Sequence, residues 1–127
     1  MSFKVGMISL FVRDVAQSTQ FYNSIIGLEI QTQFSNETFA LGELASGPNI
    51  ALRSLDQLPA GVPATPGGVE IDLEVEDIQS VWQDWKAKNV RGLTEITDMG
   101  AGLNFNALDP DGHSLNVFQL HPFMKNA

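Results

Sequence analysis

GVEIDLEVED, residues 68–77, alternates almost without exception: Val69, Ile71, Leu73 and Val75 fall on one parity, Glu70, Asp72, Glu74 and Glu76 on the other. A strand turns successive side chains to opposite faces, so this spacing predicts a strand with one aliphatic face and one file of carboxylates about 7 Å apart. The aliphatic face needs a cover. Just beyond it Asp77 is placed to cap a helix, and IQSVWQDWKAKN (78–89) brings Ile78, Val81, Trp82 and Trp85 round at helical spacing, with both tryptophans expected in the core. Three more strands are expected around residues 92–97, 103–108 and 114–120, with GAG (100–102) and DPDG (109–112) as turn signals between them.

The first half of the chain runs through the same order. Lys4–Val12 alternates, Asp14 with Gln17 three residues on begins a helix over about residues 15–26, and Gly27 is placed to end it. GLEIQTQF (27–34), ETFALGEL (37–44) and NIALRSL (49–55) are then expected as three short strands. A shift of 63 residues lays Ile8, Leu10, Val12, Asp14, Val15 and Tyr22 on Ile71, Leu73, Val75, Asp77, Ile78 and Trp85, matching aliphatic, cap and aromatic positions in turn. The stretch between the halves, LDQLPAGVPATPGG (55–68), holds three prolines and three glycines and is a connector. The fold class is therefore α+β: one domain over residues 1–127 made of two βαβββ modules, about 3–54 and about 69–120. One helix can cover one face of each sheet, so the other faces, set side by side, should curl into a cup of mixed sheet able to hold a small molecule.

Composition narrows the partners. Seven basic against 15 acidic residues give a net charge of −8, which repels a phosphate backbone, so no nucleic acid is expected. No apolar run reaches the roughly 18 residues of a membrane span, and MSFKVGMISLFVRDV reads on as a strand rather than a leader; a cytoplasmic protein is expected. The absence of cysteine excludes disulfides, thiolate metal sites and a thiol nucleophile. Open sheet edges and the 55–68 connector suit pairing across a two-fold axis, so a homodimer is expected.

By parity the cup is lined by Met7, Ser9 and Phe11, by Ala51 and Arg53, by Glu70, Asp72 and Glu74, and by Ser114, Asn116 and Phe118. Aromatic and thioether surface beside carboxylates suits a ligand with a flat apolar part and a cationic part. A desolvated Glu70 among like charges could instead act as a general base. Arg53 could cancel part of this field by pairing with Glu70 or Asp72, or could clamp a carboxylate. Against all this stands the plain alternative that charges alternating on a strand are a solvated face and that Met7, Phe11 and Phe118 are packing. His113, after the DPDG turn, and His121, in the tail, are expected at the surface and make no ligand pair.

ISLFVRDVAQSTQFYNSIIGLEI, with its VxD step, FY pair and IGL ending, and DPDGHSLNVFQL near the C-terminus resemble the vicinal oxygen chelate superfamily of glyoxalase I, bleomycin-resistance proteins, fosfomycin-resistance enzymes and extradiol dioxygenases. The resemblance covers nearly the whole chain. It implies that the metal ligands of catalytic members would correspond here to Met7, Ala51, Glu70 and Asn116. One thioether, one methyl group, one carboxylate and one amide make a poor set for a hard divalent ion, so no metal and no other cofactor is expected. Two functions follow: a metal-independent small-molecule binding protein of the bleomycin-resistance type, with Met7, Ser9, Phe11, Arg53, Glu70, Asp72, Asn116 and Phe118 as ligand-binding residues, or a lyase or isomerase of the same superfamily with Glu70 as its general base, with or without a weakly bound divalent metal.

Overall fold

The alternation and its repeat are both met in the computed structural model, which describes residues 2, 6–58 and 69–125. The expected start of the first strand at Lys4 and most of the connector lie outside the described residues. Two units divide between Pro66 and Gly67. The first holds β1 (Met7–Val12), α1 (Val15–Ile26), β2 (Glu29–Ile30), β3 (Phe39–Glu43) and β4 (Asn49–Ser54), in the sheet order β1-β4-β3-β2 with β1 parallel to β4. The Asp14 carboxylate accepts the Gln17 N–H at 3.0 Å to start α1, and Gly27 stops it with φ of 70°, a left-handed conformation that glycine adopts without Cβ strain. Leu10, Val12, Tyr22, Leu28 and Leu52 are wholly buried and form this unit's core.

The strand expected over 27–34 is much shorter. It ends at Ile30, and Thr32–Phe34 turn as a 3-10 helix. The cause is Ser35: its Oγ donates to the Gln31 carbonyl at 2.8 Å and accepts the Leu41 N–H at 3.0 Å, so a side chain takes the place of the next backbone rung. The described beginning of the connector, Leu55–Gln57, is also a 3-10 turn.

The second unit repeats the first with β5 (Glu70–Glu74), α2 (Ile78–Ala87), β6 (Thr97–Asp98), β7 (Gly102–Leu108) and β8 (Ser114–Leu120), in the order β5-β8-β7-β6; a last turn, α3 (Pro122–Lys125), follows. The repeat is kept to the residue. Met7 and Ser9 pair with Asn49 and Ala51 in the first parallel ladder, while Glu70 and Asp72, their counterparts, pair with Ser114 and Asn116 in the second. Ile71, Ile78, Trp85, Phe105, Ala107, Leu115 and Val117 are buried, and Trp85 meets Phe105 edge to face at 5.4 Å between centroids. Trp82 departs from the expectation: it is half-buried, gives its Nε1–H to the Thr94 carbonyl at 2.9 Å and lies under Lys86. The strand expected over 92–97 forms only at Thr97–Asp98, because the Thr94 hydroxyl takes the Asn106 N–H and so replaces a ladder carbonyl. Among the described residues no helix is long and apolar enough to cross a membrane.

His113 is the clearest correction. It is 2% exposed, not a surface residue, and its Nδ1 lies 2.8 Å from Oδ2 of the fully buried Asp109. The other oxygen, Oδ1, accepts the N–H groups of Asp111 and His113. The first residue of DPDG is thus the hub of a buried turn.

At the start of α2, Asp77 accepts both the Ser80 hydroxyl (2.7 Å) and the Ser80 N–H (3.2 Å), which hold its carboxyl below the ordinary 3.8, the hydroxyl most strongly. A group lowered in the folded state stabilises fully above its unfolded value, and that contribution is lost as the pH falls through the folded one. An NMR titration of the Asp77 carboxyl should therefore give a midpoint below 3.8 that rises in Ser80→Ala; a midpoint at or above 3.8 in the parent contradicts this capping role.

Candidate functional site

The carboxylates of β5 lie on the sheet face opposite the buried row, and Glu70, Asp72 and Glu74 are all exposed. The parallel register sets Glu70 beside Ser114, Asp72 beside Asn116 and Glu74 beside Phe118. Ser114 Oγ donates to Glu70 Oε2 at 2.7 Å, and Asn116 Nδ2 donates to Asp72 Oδ1 at 2.9 Å. The second of these contacts opens a longer row. Asn104 Nδ2 donates to Asn116 Oδ1 at 3.0 Å, and Thr97 Oγ1 donates to Asn104 Oδ1 at 2.9 Å, so four side chains link all four strands. Beside it, Asn106 Nδ2 donates to Ser114 Oγ at 3.3 Å.

Each donor to Glu70 and Asp72 is neutral. The side chains are held in place while, among the described residues, no cation pairs with their negative charge, which is the condition under which an arriving cation gains most. Half-buried Phe118 supplies aromatic surface on the same face. Sequence reading found Glu70, Asp72, Asn116 and Phe118 but passed over Thr97, Asn104 and Asn106. The signal for the two asparagines was present in LNFNAL (103–108), where they share a parity opposite Phe105.

The first unit's helix-free face is different. Met7 is 44% exposed, Ser9 and Phe11 are half-buried, and Ala51 is fully buried. Arg53 pairs in register with Phe11 on one side and Phe39 on the other. Its guanidinium carbon lies 5.2 Å from the Phe11 centroid and 5.7 Å from that of Phe39. Its Nε donates to Gln57 Oε1 at 3.1 Å. Phe39 and Gln57 are further residues of this face that the sequence reading did not single out.

Among the described residues, no three His, Cys, Asp or Glu side chains gather as a metal centre would require. The residues at the metal-ligand positions implied by the resemblance do not fit such an ion either. Met7 and Ala51 bring no hard donor, and Asn116 Oδ1 already accepts the Asn104 amide. His121 is occupied elsewhere, with Nε2 at 3.2 Å from both oxygens of Asp98, whose carboxyl is lowered first by the Gly100 N–H and then by this histidine.

Comparison with known proteins agrees with this architecture. The model of the glyoxalase/bleomycin resistance protein/dioxygenase superfamily matches residues 4–117. A search of curated proteins gives no match. Among solved structures, an Agrobacterium tumefaciens protein determined by solution NMR is 32% identical, with a TM-score of 0.79 over 95% of this chain and 99% of that one. A glyoxylase/bleomycin resistance protein/dioxygenase domain from Frankia is 22% identical, with a TM-score of 0.74 over 95% of this chain and 100% of that one. A lactoylglutathione lyase from Agrobacterium tumefaciens is 13% identical, with a TM-score of 0.73 over 91% and 92%. For the last two the likeness is one of fold.

Proposed function

The chain belongs to the glyoxalase/bleomycin resistance protein/dioxygenase superfamily, and we propose that within it the protein is a metal-independent, cytoplasmic binder of small molecules with aromatic and cationic character. The observation that carries this reading is the helix-free face of the second sheet, where Glu70 and Asp72 are fixed by neutral donors beside Phe118. Such a face offers an ammonium group charge and hydrogen-bond acceptors, and offers the rest of the ligand a ring to lie against. Action as a homodimer belongs to the same proposal.

A lyase or isomerase using Glu70 is the second reading. In its favour, the one hydrogen bond at this carboxylate among the described residues falls on Oε2, which leaves Oε1 for a substrate proton. Against it, Glu70 is exposed, so water competes with a substrate for its carboxylate.

Calorimetric titration with phenethylammonium separates these outcomes. Binding should weaken up to about fivefold in Asp72→Asn, the range of one exposed ion pair, while binding of neutral phenylethanol should not change. Equal affinity for the two ligands in the parent protein would remove the cationic preference. Loss of a measured turnover in Glu70→Gln with binding retained would favour the enzyme.

A further inference from the structure

We propose that Arg53 is an anchor for the carboxylate of a small aromatic or apolar acid, a second ligand subsite on the helix-free face of the first unit. It rests on the function proposed above only in taking helix-free sheet faces as ligand surfaces. Several neighbours hold Arg53 in place. The 3-10 turn after β4 brings Gln57 back under the side chain, and its Oε1 accepts the Nε–H at 3.1 Å. Gln57 is itself fixed, because its Nε2 donates to Thr38 Oγ1 at 2.9 Å and that hydroxyl donates to Asn36 Oδ1 at 3.0 Å. Phe11 and Phe39 complete the frame from the two neighbouring strands.

Everything that positions the guanidinium acts through Nε and the ring faces. Its two Nη nitrogens make no hydrogen bond among the described residues, and no side-chain nitrogen there is buried without a partner, so both reach solvent. An arginine held half-buried between two phenylalanines, with no carboxylate on it among the described residues of a chain that has 15 acidic and 7 basic residues, is a prepared donor pair. Two Nη–H groups in one plane match the two oxygens of a carboxylate, and a ring or alkyl body next to that carboxylate would lie along Phe11 and Phe39. Ordering costs are small here because the frame has already been built.

The test is a titration of the full chain with phenylacetate, followed by calorimetry and by the Arg53 Nε–Hε resonance. Phenylacetate should bind and shift that resonance; Arg53→Gln should weaken binding roughly tenfold or more and Arg53→Lys by less, because lysine keeps the charge but not the fork. Asp72→Asn should leave phenylacetate binding unweakened, and thermal melts of the Arg53 variants should stay near the parent's. Unchanged affinity in Arg53→Gln, or acetate binding as tightly as phenylacetate, overturns the proposal. Phenethylammonium binding with no phenylacetate binding overturns it and leaves the proposed function standing; binding of neither removes both.

Discussion

Asp109→Ala should destabilise the protein by about 3–5 kcal/mol, since each buried donor left without its acceptor costs about 1–3 kcal/mol. Asp109 is fully buried, and its carboxylate accepts two backbone N–H groups and pairs with the His113 ring. Alanine leaves the Asp111 and His113 N–H groups without their acceptor in the interior. The melting temperature should fall by on the order of 10 °C. Asp109→Asn should cost less, since an amide oxygen can still accept the Asp111 and His113 N–H groups. Equilibrium urea unfolding of the two variants checks both statements. Parent-like stability in Asp109→Ala would mean that the turn is held by its backbone bonds, Asp109 N–H to His113 O and Gly112 N–H to Asp109 O, and not by the carboxylate.

Trp85→Ala should cost a similar amount, about 3–5 kcal/mol, the range for truncating a large aromatic residue in a core. Trp85 is 2% exposed, and its edge-to-face partner Phe105 is 1% exposed, so truncation opens a cavity between α2 and β7 that neighbouring side chains cannot close. Trp82→Ala, on the same helix, should cost about 1 kcal/mol, because the side chain is half-buried and gives up one hydrogen bond, to Thr94. The same unfolding experiment compares them. Equal losses would place both indoles in the core, as helical spacing alone suggests.

Those tryptophans show how far the sequence could be read. Period-two alternation in GVEIDLEV gave the strand, its covered face and its acid face, and the repeat gave the second unit from the first. Spacing located the helix that carries Trp82 and Trp85, but not that Trp85 is buried against Phe105 while Trp82 is left half-buried. The shortened β2 and β6 were hidden for a different reason. The hydroxyls of Ser35 and Thr94 take backbone positions in the ladder, and pattern counts backbone rungs only. The burial of His113 is not legible from its place after a turn, because a carboxylate four residues earlier satisfies it in the interior. In the candidate site, Glu70 and Asp72 were legible as charges. Their fixing by Ser114 and Asn116, and the extension through Asn104 to Thr97, depend on register across four strands, which no local period encodes.

The face bearing Asp72, Asn116, Asn104 and Thr97 is proposed as the place where a cationic aromatic ligand docks. The most direct test of that proposal is a series of ¹H–¹⁵N spectra during titration with phenethylammonium up to about 10 mM, a range that detects millimolar binding. The largest shifts should fall on the side-chain amides of Asn104 and Asn116 and on the backbone amides of residues 70–74 and 114–118. Shifts confined to α2, or no shifts at the end of the titration, would contradict it.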